Sequence, residues 1–159
     1  MGSEDIVLDA NIFGHSINPT NDFFESSQAV LFSVIEHALI LALDDSGKNA
    51  PDMSTSHMYA EYDKFLTVGS LGRTLIEAAA LAGRVVFLPR LREPFKGQCK
   101  KLVPRNQKDQ IVLGVGVLSA SKNIVSNDYA DFSAGVRTMA QKQLGVSIAD
   151  SDEYAASRK

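Results

Sequence analysis

The chain has 159 residues, 45% hydrophobic and 22% charged, with a formal net charge of -3. This is the length of one ordinary domain with a sizeable core, and the composition excludes a disordered or fibrous chain. No apolar run is long enough for a membrane span, the opening Met1–Leu8 lacks the parts of a signal peptide, and the single cysteine, Cys99, excludes an intrachain disulfide or a cysteine-built metal cluster. Together these features predict a cytoplasmic protein with no membrane partner.

In chain order, Asp5-Ile6-Val7-Leu8-Asp9 reads as a buried strand closed by an acid. Asn18 to Asp22 breaks regular structure. From Phe23 to Leu43 the spacing predicts one long helix, with Leu31, Ile35, Ala38, Leu39 and Ala42 along its core stripe. Its second half, including Ile40 and Leu41, is apolar on every side. A small domain cannot easily surround such a helix, so this segment predicts a homodimer.

Asp44 to Pro51 reads as a polar loop, and Ser54-Thr55-Ser56 offers caps for a helix over His57–Thr67. A helix over Leu71–Ala82 closes at Gly83, and Arg84–Leu88 is a strand stopped by Pro89. A basic loop follows. Between Arg90 and Lys108 lie Arg90, Arg92, Lys96, Lys100, Lys101, Arg105 and Lys108 against only Glu93. Asn106 or Gln107 opens a helix to about Ser121. After it come a strand over Asn123–Ser126, a helix over Asp131–Leu144, a short strand over Val146–Ala149 and a polar tail from about residue 150. Alternating strands and helices predict a single α/β domain over residues 1–159. The expected architecture is a three-layer α/β/α sandwich around a central, mainly parallel sheet of four to five strands.

In a parallel sheet, strand C-termini and the starts of the following helices share one edge, where ligands bind. Asp9 follows the first strand, Glu61 lies early in its helix, Asp109 is in a first helical turn, and Asp128 follows the strand Asn123–Ser126. Taken singly, each is more often structural, as a helix-dipole contact or a turn former. Four of them at one edge predict an oxygen-only site for a hard cation, Mg2+ or Mn2+. The basic stretch leads into Asp109 and reads either as a phosphate-binding rim, with Lys96, Lys100, Lys101, Arg105 and Lys108, or as a solvated loop. His15, His37 and His57 show no ligand spacing. Gly114 and Gly116 read as close-packing positions in a helix, and no phosphate-loop or dinucleotide motif is present.

Val7-Leu8-Asp9-Ala10-Asn11, Ala60-Glu61, Lys108-Asp109-Gln110-Ile111 and Val125-Ser126-Asn127-Asp128 with Asp131-Phe132 resemble, in order, the four motifs of PIN-domain nucleases. The resemblance spans nearly the whole chain. It implies a Mg2+- or Mn2+-dependent endoribonuclease using Asp9, Glu61, Asp109 and Asp128 as catalytic acids. Asp9, Asp109 and Asp128 would ligate metal, Glu61 would do so directly or through water, and Asp131 would serve a second ion. Asn11 and Ser126 would orient carboxylates. The same resemblance implies RNA as substrate, homodimers, and a toxin role with a cognate antitoxin as partner. A longer basic insertion and the position of Asp131 depart from the compact toxins. A PIN-like DNA nuclease and a non-catalytic RNA- or protein-binding module are the alternatives.

Overall fold

β1 (Asp5–Leu8) is apolar apart from its first residue and buried along its whole length, as a strand covered on both faces must be. The computed structural model describes residues 4–158; Met1–Ser3, part of the signal-peptide reading, and Lys159 lie outside the described residues. β1 is joined by β2 (Ile40–Asp44), β3 (Val85–Leu88), β4 (Asn123–Val125) and β5 (Ser147–Ala149). All four pairings are parallel, and the strand order is β3-β2-β1-β4-β5. The chain thus steps outward from β1 to β3, then returns to the other flank of β1. The crevice between β1 and β4 is the switch point of the sheet.

Helices cover both faces. α1 (Ala10–His15) and α2 (Phe24–Glu36) connect β1 to β2, and α3 (His57–Asp63) and α4 (Leu71–Leu81) connect β2 to β3. α5 (Phe95–Leu102) and α6 (Gln107–Leu118) lead to β4, α7 (Ala134–Leu144) leads to β5, and α8 (Ser151–Ser157) follows. α2 packs against α1, α4 and α8, whereas α6 lies across β1, β2 and β4 with α5 beside it. The expected three-layer α/β/α sandwich is therefore what forms, with five strands. α6 approaches β4 closely because Gly116 has no side chain: a Cβ there would collide with the side chain of Ile124.

Three expectations are corrected. The single helix over Phe23–Leu43 is a helix and a strand. α2 ends at Glu36, Ala38 turns the chain at φ 51°, and Ile40–Asp44 becomes β2. Ile40 is half-buried and Leu41, Ala42 and Leu43 are buried in the sheet, so the surplus apolar helix surface behind the homodimer expectation does not exist. The basic loop contains a helix, α5, which buries Cys99 while Lys96, Lys100 and Lys101 stay exposed; Val103, at its C-cap, is buried as well. The polar tail is α8, opened by a capping box in which Asp150 and Glu153 each accept from the other's backbone N–H.

Candidate metal centre

Asp9 leaves β1 and caps α1. Its Oδ1 accepts from the Ala10 N–H at 2.8 Å, and its Oδ2 accepts from Ser126 Oγ at 2.7 Å and from Asn11 Nδ2 at 3.1 Å. Asn11 in turn accepts the Asn127 N–H at 3.0 Å, which ties the start of α1 to the end of β4. The two residues expected to orient carboxylates, Asn11 and Ser126, thus both hold Asp9. Burial pushes the Asp9 carboxyl up; the three hydrogen bonds only partly offset this, and the nearby Asp128 adds to the rise.

Asp109 arrives from the opposite side, in the first turn of α6. Asn106 caps that helix, accepting from the N–H groups of Lys108 and Asp109. Asp128 follows β4, with its Oδ1 accepting from the N–H groups of Ala130 and Asp131 at 2.8 and 3.2 Å. Asp9, Asp109 and Asp128 each offer an oxygen, and all three oxygens lie within 4.8 Å of one another. They converge at the switch point between β1 and β4, although Asp9 is far in sequence from Asp109 and Asp128.

The electrostatics of Asp109 are unusual. It is 5% exposed, its Oδ2 is buried, and no hydrogen-bond donor faces that oxygen. Burial, contact with the Asp131 carboxyl, and the charges of Asp9 and Asp128 raise its pKa to about 8. Two ionised carboxylates have no proton to share, so Asp109 and Asp131 form a hydrogen bond only when one is protonated. The site is therefore satisfied in one of two ways: a proton retained on Asp109, or a cation. Three hard, anionic ligands, one of them carrying an oxygen without a donor, fit a hard divalent ion.

The remaining predicted acids stand at the rim. Asp131 faces Asp109 and accepts from Asn106 Nδ2 at 3.4 Å, but it is not one of the three that converge within 4.8 Å. Glu61 lines the same pocket as Asp9 and Asp109. Its carboxylate is held by Lys108 and Lys64, each at 2.8 Å, and these ammonium groups lower its pKa. Lys108 therefore bridges α3 and α6 across the pocket. Lys96, Lys100 and Lys101 are exposed on α5, and Arg105 is exposed in the turn before α6.

Two residues that organise the elements around the site were not picked out from the sequence. Asp44, read as part of a polar loop, closes β2 and organises α3. It accepts from the N–H groups of His57 and Met58 and from the hydroxyls of Ser46 and Ser56, at 2.8 to 3.0 Å. Its position directly after an apolar run, like that of Asp9, was the available signal. Asn127 lies among β4, α1, α2 and α8. Its side chain contacts His15 Nδ1 and Ser27 Oγ and accepts the Ser151 N–H. His15 is thus a structural partner, its pKa lowered by burial. No protein-family model, curated protein or solved structure matches this chain.

Proposed function

We propose that this protein is a Mg2+- or Mn2+-dependent endoribonuclease of the PIN-like type. The observation that carries the reading is the buried, donorless Oδ2 of Asp109 within a group of three carboxylates at the sheet's switch point. Random surface acids do not leave an oxygen buried without a donor, because that arrangement costs stability unless a proton or ion completes it. A strongly raised carboxyl pKa in a cleft, with named acidic neighbours as its cause, also makes Asp109 a candidate functional residue.

In this reading Asp9, Asp109 and Asp128 hold the ion. A bound ion would supply Lewis-acid activation of water and would offset charge developing on the phosphate. Ser126 and Asn11 fix the Asp9 carboxylate, and the Asn106 cap fixes the first turn carrying Asp109. Lys108, paired with Glu61 at the pocket rim, is placed to exchange that partner for a phosphate oxygen. The exposed lysines of α5, with Arg105, lie just before the pocket-lining Asn106 and Lys108 in the chain and would offer a polyanion further positive charge. Asp131 is an outer acid that faces Asp109. A toxin role with a cognate antitoxin rests on the resemblance of the motifs alone.

Incubation with labelled single-stranded RNA and DNA, with Mn2+ and with a chelator, tests the reading. RNA cleavage that requires Mn2+ and is absent in Asp109→Asn is the expected outcome. Cleavage of DNA alone would replace the substrate, and binding without cleavage would make the chain a non-catalytic module.

A further inference from the structure

Arg137 lies in the first turns of α7, is 9% exposed, and points at the loop that carries Asp128. Its Nε donates to the Phe132 carbonyl at 2.7 Å, and its Nη2 donates to the carbonyls of Ser126 and Asp128, each at 3.0 Å. One planar fork thus gathers three carbonyls spread over seven residues, a task for which guanidinium geometry is suited and a lysine ammonium is not. Its Nη1 is buried without a partner, a cost the fold accepts. The Tyr129 ring lies 3.9 Å from the guanidinium carbon, and the Tyr129 hydroxyl donates to Asp150 at 2.5 Å, so loop, arginine and the cap of α8 form one unit.

What this unit fixes is the candidate metal centre. Asp128 is held through its own carbonyl. Ser126, whose hydroxyl orients Asp9, is held through its carbonyl as well. We propose that Arg137 is a positioning residue for the cation: by clamping the backbone of Ser126 and Asp128 it sets the spacing of two of the three carboxylates. The inference rests on the metal-centre reading.

Charge and position make opposite demands here. A buried cation behind the site repels a divalent ion, so a merely electrostatic Arg137 would weaken metal binding and its removal would tighten it. A positioning Arg137 acts the other way, because groups that orient ligands typically contribute roughly 10–100-fold to metal affinity. Mn2+ titration of the wild-type protein, followed by electron paramagnetic resonance, sets the reference. Arg137→Met should bind Mn2+ roughly 10–100-fold more weakly. Without metal, its Ala130 and Asp131 amides, which donate to Asp128, should exchange hydrogen faster. Arg137→Lys keeps the charge but not the fork, so it should fall on the same side of wild type; it also serves if Arg137→Met does not fold. Leu144→Ala, at the far end of α7, destabilises the same helix and should leave Mn2+ affinity unchanged.

Affinity within twofold of wild type, or tighter, in a folded Arg137 variant would overturn the proposal while leaving the metal centre standing. An equal loss in Leu144→Ala would overturn it too, reducing Arg137 to a stabiliser of α7. Wild-type protein that takes up no Mn2+ would overturn both the metal reading and this one.

Discussion

Asp44 and Asp109 are both buried carboxyls beside the C-terminal edge of the sheet, 7% and 5% exposed. Burial pushes both pKa values up. At Asp44 two backbone N–H groups and two hydroxyls outweigh it and hold the carboxyl below its ordinary value. At Asp109 the neighbours are acids, and the pKa climbs to about 8. Burial alone therefore does not distinguish a structural acid from a reactive one; what decides is whether donors or other carboxylates face it. The Asp44 side chain is complete as it stands. Asp109 is completed only by something added.

The sharpest way to break this contrast is to neutralise each acid. Asp109→Asn or Asp9→Asn should lower Mn2+-dependent RNA cleavage by roughly a thousandfold, the scale of removing one preorganised electrostatic interaction. The fold should persist, and at pH 8 without metal Asp109→Asn should melt above wild type, because repulsion among the acids is relieved. A variant that cleaves at the wild-type rate would remove that acid from the site. Asp44→Ala should do the reverse. Stranding the N–H groups of His57 and Met58 should cost on the order of 3 kcal/mol in urea unfolding. An Asp44→Ala protein of unchanged stability would erase the distinction.

pH sharpens the comparison further. The native state keeps a proton on Asp109 up to about pH 8, whereas the unfolded chain releases it near 3.8. Between those values the native state binds more protons, so this group's contribution to stability declines as pH rises and is lost by about pH 8. The depressed Asp44 acts oppositely: its contribution is present above its unfolded pKa and is lost as pH falls through the folded one. Mn2+ must displace the Asp109 proton, so its affinity should increase through the same window. Urea titrations of wild type and Asp109→Asn across this range check the sign; parallel curves would show that Asp109 is not the titrating group. The smallest expected effect is at the basic rim. Lys100→Glu with Lys101→Glu should flatten the salt dependence of RNA binding by about 0.7 in log–log slope for each phosphate no longer neutralised, with Mn2+ affinity little changed. An unchanged slope would return α5 to a solvated face.

The converging acids were legible because each sits at a point where the chain must turn, soon after a strand ends or in a first helical turn. Parallel topology sends all such points to one edge. Asn11 and Ser126 were legible only through their motifs. β2 was not, because Leu39 to Leu43 is apolar at every position and a period cannot be read from it. The break before it falls on Ala38, which takes a positive φ without being glycine. α5 was hidden by its lysines, although Cys99 within it and Val103 at its C-cap are buried four residues apart. The acid pair of α8, Asp150-x-x-Glu153, was a readable start signal that went unused. Arg137 carries no local mark, since its function depends on three carbonyls that only the folded loop brings together.

The strand order also constrains how the protein can be made. β1 emerges first during synthesis, yet one of its two neighbours is β4, and the Asp9 N–H donates to the carbonyl of Val125. The central strand must therefore wait for more than a hundred residues before its second edge is covered, a long-range closure of the kind that slows folding. The same delay governs the acids, whose last member is Asp128. A nascent chain therefore carries Asp9 long before the three acids can converge, and they meet only when nearly the whole domain has been released.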